Sequence, residues 1–117
     1  MHRPRKRFGQ HFLTDASILE RMVHAINPRE HEVLVEIGPG TGVLTEQLVS
    51  RCRKLFAIEL DRDLTPKLRA RYSDFDFSVV EADVLDVDFT NLTDKETPAE
   101  KLRVVGNLPY NLSLIHI

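Results

Sequence analysis

The stretch that decides the fold is Glu32–Gly42, EVLVEIGPGTG, in which a short apolar run with β-branched residues meets a loop of three alternating glycines. Such a run closed by glycine is typical of a buried strand. Glycine lets the backbone turn sharply and approach a ligand closely, and a strand, a glycine loop and a helix in succession form the nucleotide site of doubly wound sheets. Gly-Pro-Gly also makes ordinary tight turns, so the loop alone does not decide between the two.

Strands and helices alternate on both sides of this loop. Four strands are predicted, at EVLVEIG, KLFAIEL, FDFSVVEAD and LRVVGN. Alternation at this pitch indicates βαβ units, hence a parallel sheet with right-handed crossovers. The sequence therefore predicts an α/β fold of the Rossmann-like kind, with about four parallel strands and flanking helices.

Three helices are predicted between these strands. The first lies within TDASILERMVHAINP, capped by Thr14 and Asp15 and ended by Asn27-Pro28, and the second covers about residues 42–51. The third lies within DRDLTPKLRARY, with Asp63 as its expected cap. The polar segment DFTNLTDKETPAE is expected to be mostly loop with at most a helical turn.

Composition sets the class of protein without specifying its chemistry. The 117 residues are 42% hydrophobic and 29% charged, which is ordinary for a globular domain. A single cysteine, Cys52, excludes an internal disulfide and fits a reducing compartment. No stretch approaches the roughly 18 apolar residues of a membrane span. We expect a cytoplasmic protein without a membrane partner.

The net charge of −2 is unevenly distributed along the chain. Arg3, Arg5, Lys6 and Arg7 stand among the first thirteen residues with no acid, whereas the remainder holds 12 basic and 18 acidic residues. A basic arm on an acidic body can neutralise phosphates and steer a protein toward nucleic acid. A solvated tail is the alternative interpretation.

Acidic residues follow the glycine loop at the ends of the next two strands. Glu59 lies 21 residues after Gly38, at the offset where a carboxylate can accept hydrogen bonds from both ribose hydroxyls. Asp83 ends the third strand, where it can accept from an adenine amino group or simply cap the following turn. Three alternating glycines, rather than Gly-x-Gly-x-x-Gly, favour a nucleoside without a pyrophosphate, and S-adenosylmethionine is the common one.

The motif GNLPYN at residues 106–111 follows the fourth strand. The side-chain oxygen of Asn107 and a carbonyl of the Leu108-Pro109 step can accept the two N–H bonds of an adenine amino group and aim its lone pair at a methyl sulfonium. Pro109 fixes the backbone, and Tyr110 can stack on the base. Alignment and electrostatics suffice for such a transfer, so no metal is expected. A plain turn is the alternative.

Five segments together resemble the ribosomal RNA adenine dimethyltransferase family: RKRFGQHFL, VEIGPGTGVLTEQL, IELDRDL, EADVLD and VVGNLPYNLS. The resemblance implies a class I S-adenosylmethionine-dependent methyltransferase. It also implies dimethylation of N6 on two adjacent adenines in the 3′-terminal hairpin of small-subunit (16S) ribosomal RNA, during ribosome biogenesis. The expected partner is the small-subunit RNA or the pre-30S particle, bound by a monomer.

Site roles follow from this resemblance position by position. Cofactor contacts are expected from His11, Leu13, Gly38, Glu59, Asp83 and Asn107. Asn107, Leu108, Pro109 and Tyr110 would hold the target base, and the basic arm would hold RNA phosphates. Many members have asparagine where His11 stands, so a surface histidine remains the alternative there.

The resemblance also suggests that the chain is part of a longer protein. Residues 1–13 are expected to form the basic arm with the first cofactor contacts, and residues 14–117 a partial methyltransferase domain. By this resemblance we expect the whole protein to contain further strands and a helical C-terminal domain beyond this chain. The terminal LIHI departs from the family pattern, so we expect these last residues not to be native. We expect the final apolar strand to leave an unpaired edge and an exposed face, and the chain to be poorly soluble or to bind cofactor weakly, with little or no turnover.

Two other functions fit the same motifs. A resistance-type methyltransferase of large-subunit ribosomal RNA shares the architecture, although NLPY in place of the NIPY common in that group disfavours it. A non-catalytic nucleic-acid-binding relative would retain the cleft as a scaffold. The intact Asn-Leu-Pro-Tyr and the acidic Glu59 favour an active enzyme over that alternative.

Overall fold

The fold is built on one sheet of five strands in the order β3-β2-β1-β4-β5. It is seen in a computed structural model that describes residues 15–93, 97–98, 101–107 and 112–116. The strands are β1 (Val33–Ile37), β2 (Lys54–Glu59), β3 (Phe77–Glu81), β4 (Arg103–Asn107) and β5 (Leu112–His116). The first four are mutually parallel, as the alternating pattern predicts.

Helix α1 (Ala16–Ile26) confirms the predicted cap and stop. The carboxylate of Asp15 accepts hydrogen bonds from the N–H groups of Ser17 (2.9 Å) and Ile18 (3.4 Å), which otherwise lack partners in the first turn. Asn27 ends the helix in the left-handed conformation with a φ of 48°. Pro28 then prevents any continuation.

Helices α2 (Val43–Leu48) and α3 (Thr65–Arg71) follow β1 and β2. The prediction that Asp63 caps α3 is wrong, because Leu64 occupies the cap position and makes no capping bond with its side chain. The turn before α3 is formed instead by Asp61, whose carboxylate accepts from the N–H of Asp63 at 2.8 Å. After β3 come two short 3₁₀ helices, Val84–Asp86 and Phe89–Leu92. The second lies in the polar segment that begins at Asp88 and agrees with the single helical turn that the prediction allowed there.

The fifth strand was not anticipated from the sequence. Residues 112–116 pair antiparallel with β4, with Gly106 opposite Ser113 and Asn107 opposite Leu112. The expectation that the fourth strand leaves an unpaired edge is therefore wrong, since β4 lies between β1 and β5. Periodicity could not reveal β5, because a short apolar run carries no information about which neighbour it will pair with.

Both faces of the central strands are buried. On one face Leu34, Leu55 and Val105 pack with α1, α2 and α3, and on the other Val35, Ile58 and Val104 pack around Leu92 and Leu102. Burial on both faces explains why these strands have nearly continuous apolar sequences rather than alternating ones. No helix among the described residues has the length and apolar character that a membrane crossing requires.

The amino ends of β1 and β4 are tied together by Arg103. Its Nη1 donates to both carboxylate oxygens of Glu32 (2.7 and 2.8 Å), and its Nη2 donates to the carbonyl of Ile26 at the end of α1. A paired guanidinium and carboxylate of this kind form strong, directional hydrogen bonds. One side chain thereby fixes a helix end and two strand ends.

Candidate functional site

The strand order brings the predicted site residues to one edge of the sheet. Because the four strands are parallel, their carboxyl ends meet at this edge, and the order β3-β2-β1-β4 gives the sequence Asp83, Glu59, Gly38, Asn107 along it. Ile37 is paired with Ile58 on one side and Gly106 on the other, so Gly38 lies between Glu59 and Asn107. With strands roughly 4.8 Å apart, the row spans about 14 Å.

The glycine loop uses backbone conformations that favour glycine. Gly38 and Gly40 have φ values of 67° and 60°. A β-carbon built on either would meet no atom within 4 Å, so both face open space at the carboxyl edge. The N–H of Gly38 donates to the carbonyl of Ile58 at 2.8 Å, which continues the β1–β2 ladder into the loop.

The far end of the loop is packed against α3. A β-carbon on Gly42 would lie 3.2 Å from Leu68 and 3.3 Å from the hydroxyl of Tyr72. Arg71 donates to the carbonyl of Thr41 at 2.8 Å, and the Tyr72 hydroxyl donates to the carbonyl of Gly42 at 3.3 Å. The loop is therefore open where β1 ends and closed where α2 begins.

Glu59 is hydrogen-bonded to the glycine loop through its carboxylate. One of its carboxylate oxygens accepts from the N–H of Gly40 and the other from the N–H of Asp61, each at 2.9 Å. Its exposed fraction is only 3%. A carboxylate offers about four acceptor positions, so two hydroxyl donors can still be accommodated beside the backbone N–H groups.

Glu36 is a second buried acid at this edge and was missed by sequence reasoning. Its exposed fraction is 1%, and one carboxylate oxygen accepts from the hydroxyl of Thr45 in α2 at 2.6 Å. Burial, only partly offset by the Thr45 hydrogen bond, and the nearby charge of Glu59 raise the pKa of Glu36 to about 7. An acid within an otherwise apolar strand was the signal that could have revealed it.

Asp83 caps the turn after β3, as the structural alternative in the sequence analysis anticipated. Its carboxylate accepts from the N–H of Leu85 at 2.9 Å and begins the first 3₁₀ helix. Capping uses one carboxylate oxygen and does not preclude a second contact. Its role toward a ligand stays a prediction.

Two leucines at the same edge were also missed. Leu60 directly follows Glu59 and is 68% exposed, while Leu85 follows Asp83 by two residues and is 89% exposed. Large apolar side chains this exposed, each next to a predicted ligand-binding acid, can border a flat apolar ring. Their signal in the sequence was a leucine placed just beyond a strand, where no core remains to bury it.

Several predicted site residues lie outside the described residues. These are Arg3, Arg5, Lys6, Arg7, His11, Leu13, Leu108, Pro109 and Tyr110. Asn107 is described as the last residue of β4, with its backbone beside the glycine loop. Among residues 15–93 and the other described segments, no group of three histidine, cysteine or acidic side chains is arranged to hold a metal ion.

Comparison with known sequences gives one consistent result. The family described as "Ribosomal RNA adenine dimethylase" matches residues 1–116. The protein named "Ribosomal RNA small subunit methyltransferase A" is 54% identical over 112 residues in Leptothrix cholodnii and 51% identical over 113 residues in Hahella chejuensis. In both cases 96% of this chain is matched, and it spans 40% of the relative's length.

Solved structures show the same fold. A dimethyladenosine transferase from Plasmodium falciparum is 28% identical with a TM-score of 0.58, covering 64% of this chain and 28% of that one. The 23S rRNA methyltransferase ErmE is 24% identical with a TM-score of 0.63, covering 81% and 47%. An RNA methyltransferase from Salinibacter ruber, in complex with S-adenosyl-L-homocysteine, is 19% identical with a TM-score of 0.58, covering 80% and 75%. These similarities confirm the predicted Rossmann-like methyltransferase fold.

Proposed function

Because the chain belongs to the ribosomal RNA adenine dimethylase family, we propose that its carboxyl edge binds S-adenosylmethionine as methyl donor for N6 of adenine in small-subunit ribosomal RNA. The observation that carries the proposal is the row Asp83, Glu59, Gly38, Asn107 at the ends of four adjacent parallel strands. Ligands of open α/β sheets bind at this edge. The full reaction belongs to the whole protein, because this chain spans only 40% of the length of the Leptothrix cholodnii relative.

The charge of the edge supports a cationic nucleoside over a dinucleotide. Glu36 and Glu59 are both buried beneath the glycine loop. Glu59, together with Glu36 in its ionised form, would repel a pyrophosphate and attract a sulfonium. Glu59 would accept from the ribose hydroxyls, Asp83 from the adenine amino group, and Leu60 and Leu85 would border the adenine ring.

Asn107 would be the residue that contacts both reactants. In the proposal its amide oxygen and the carbonyl of the Leu108-Pro109 step accept the N–H bonds of the target amine. Those bonds draw the nitrogen lone pair out of conjugation and toward the methyl carbon. The nitrogen attacks, the C–S bond breaks with its electrons left on sulfur, and the nitrogen then loses a proton to solvent.

We further propose which RNA site is modified and where in the cell the reaction takes place. The target would be two adjacent adenines in the 3′-terminal hairpin, modified by a cytoplasmic monomer on the pre-30S particle during ribosome biogenesis. Each adenine has to be turned out of its stack, at a cost of a few kcal/mol. The arm with Arg3, Arg5, Lys6 and Arg7 would position phosphates, which carry no base sequence information.

The test uses a chimera in which this chain replaces the matching segment of the Leptothrix cholodnii relative. The chimera is given labelled S-adenosylmethionine with unmethylated small subunits or with large subunits, and the modified base is mapped. We expect label on small-subunit adenines as N6,N6-dimethyladenosine. Label on the large subunit would support the resistance-type alternative, and RNA binding without label would support a non-catalytic relative.

Two variants of the chimera separate the proposed roles. Asn107→Ala should abolish transfer while sparing cofactor affinity more than Glu59→Ala does, because Asn107 acts mainly on the amine and Glu59 only on the cofactor. Affinity and single-turnover rate are measured for both. Equal losses of affinity and rate in the two variants would contradict the assignment.

A further inference from the structure

Glu36 has a property that the proposed reaction does not use: half of its carboxylate is without a partner. One oxygen accepts from the Thr45 hydroxyl at 2.6 Å, whereas Oε2 is buried and has no hydrogen-bond partner among the described residues. Burying a carboxylate without full pairing is costly, and proteins usually avoid it by protonation or by a counterion. The protonation state of Glu36, at the base of the glycine loop, therefore depends on the charged groups around it.

The groups that face Glu36 do not compensate a negative charge. Strand β2 contributes the acid Glu59, helix α2 contributes only the neutral hydroxyl of Thr45, and β4 places the apolar Val105 at the paired position. Among the described residues, no cation acts on Glu36. Desolvation and the Glu59 charge both favour the protonated form.

Glu36 is also connected to the shape of the loop. It lies two residues before Gly38, and its partner Thr45 lies three residues after Gly42. The Thr45–Glu36 hydrogen bond therefore joins the two ends of the loop across its base. A hydroxyl donates more strongly to an ionised carboxylate than to a carboxylic acid, so ionisation tightens this junction.

We propose that Glu36 is a proton-linked positioning residue, which holds a proton in the unliganded chain and releases it to solvent when a cationic ligand occupies the glycine loop. This rests on the proposed function for the identity of that ligand, S-adenosylmethionine. The positive sulfonium stabilises the ionised carboxylate through the low-dielectric interior. The ionised carboxylate in turn attracts the sulfonium and tightens the Thr45 hydrogen bond that fixes the loop.

The direction of the pH effect follows from linkage. A ligand that favours the ionised form of Glu36 must bind more tightly as pH rises through the pKa of about 7, and each molecule bound near that pH must release a fraction of a proton. We expect S-adenosylmethionine to bind about fivefold more tightly at pH 8 than at pH 6. S-adenosylhomocysteine lacks the sulfonium charge, and we expect a smaller difference for it.

The experiment is calorimetric titration of the chimera that carries this chain with S-adenosylmethionine at pH 6, 7 and 8, in two buffers of different ionisation enthalpy. The test variant is Glu36→Gln, which keeps an acceptor for Thr45 and removes the titration. The matched control is Glu81→Gln, because Glu81 also accepts a threonine hydroxyl, from Thr65, but lies at an exposed position. We expect Glu36→Gln to lose the Glu36-dependent part of the pH effect and of the proton release, and Glu81→Gln to keep both.

A pH dependence equal in the unsubstituted chimera and in Glu36→Gln would overturn the inference and leave the proposed cofactor intact. Absence of binding at every pH would overturn the cofactor proposal, and the inference with it. If Glu36→Gln does not fold, a ¹³C titration of the Glu36 carboxyl in the unsubstituted chimera decides. An identical titration midpoint with and without S-adenosylmethionine would contradict the proposal, and a lower midpoint with it would support it.

Discussion

The amino and carboxyl edges of the sheet differ in whether their buried acidic side chains are paired with a positive charge. At the amino edge, Glu32 receives two hydrogen bonds from Arg103, and the opposite charges lie 2.7 Å apart. At the carboxyl edge, Glu36 receives one hydrogen bond and has no counterion among the described residues, and the charge that acts on it is that of another acid, Glu59. Both acids are largely buried, yet only the first is neutralised within the described part of the chain.

This difference indicates that the amino edge of the sheet stabilises the fold, whereas the carboxyl edge is suited to binding a ligand. The amino edge joins α1, β1 and β4, so its charges are compensated by the protein itself and add to the stability of the fold. The carboxyl edge keeps the Glu36 carboxylate without a counterion and beside the charge of Glu59, which lowers stability when Glu36 is ionised unless a ligand compensates the charge. Substitutions at the two edges should therefore have different consequences.

The largest expected effect is at the amino edge. Replacing Arg103 by methionine leaves Glu32 as an uncompensated, largely buried charge and removes the donor to Ile26, and we expect a loss of about 3–5 kcal/mol in the free energy of unfolding. Urea denaturation measures the loss. The control is Lys54→Met, which breaks the more exposed Lys54–Asp76 pair (3.8 Å) and should cost about 1 kcal/mol or less. Similar losses for the two variants would contradict the comparison.

The pH dependence of stability should reveal the uncompensated charge at the carboxyl edge. The pKa of Glu36 rises from 4.5 to about 7 on folding, so its contribution to stability is complete below pH 4.5 and is lost as pH rises through 7. The total change is on the order of 3 kcal/mol. Urea denaturation of the unsubstituted chain and Glu36→Gln between pH 5 and 8 measures it, and parallel curves for the two would contradict the assignment.

The glycine loop allows an effect on stability, at Gly42, to be compared with an effect on ligand binding, at Gly40, within one segment. Gly42→Ala adds contacts with Leu68 and Tyr72 to an unfavourable φ of 93°, and we expect a stability loss of about 2 kcal/mol or more. Gly40→Ala meets open space, so only backbone strain of about 1 kcal/mol applies. The added methyl of Gly40→Ala should instead weaken cofactor binding, measured by calorimetry. A larger stability loss for Gly40→Ala than for Gly42→Ala would refute this description of the loop.

The smallest expected effect is at Cys52, near the amino edge. Burial and the charges of Glu32 and Asp76 raise the pKa of its thiol to about 11, so almost no thiolate exists at pH 7.5. We expect alkylation by iodoacetamide to be slow in the folded chain and to accelerate in urea. Rapid alkylation without denaturant would show that the amino edge opens more readily than its ion pair indicates.

Local chemistry determined much of this protein from the sequence alone. The strand with its three glycines, the acids at the next two strand ends and the Asp15 cap each depend on a few neighbouring residues, so Gly38, Glu59 and Asp83 could be predicted to share an edge. The charge distribution pointed to the arm residues, and the family resemblance added His11 and Leu13; all of these lie outside the described residues and stay predictions.

Only the tertiary structure decided which charges are compensated. The sequence does not reveal that Glu32 meets Arg103 across 71 positions while Glu36, four residues further on, meets Thr45 and faces Glu59. It likewise did not reveal that β5 pairs with β4, or that Leu64 rather than Asp63 occupies the N-cap position of α3. The physical reason is that pKa, ion pairing and strand partnership depend on distances between residues that are remote in sequence, and those distances are fixed only when the sheet has assembled.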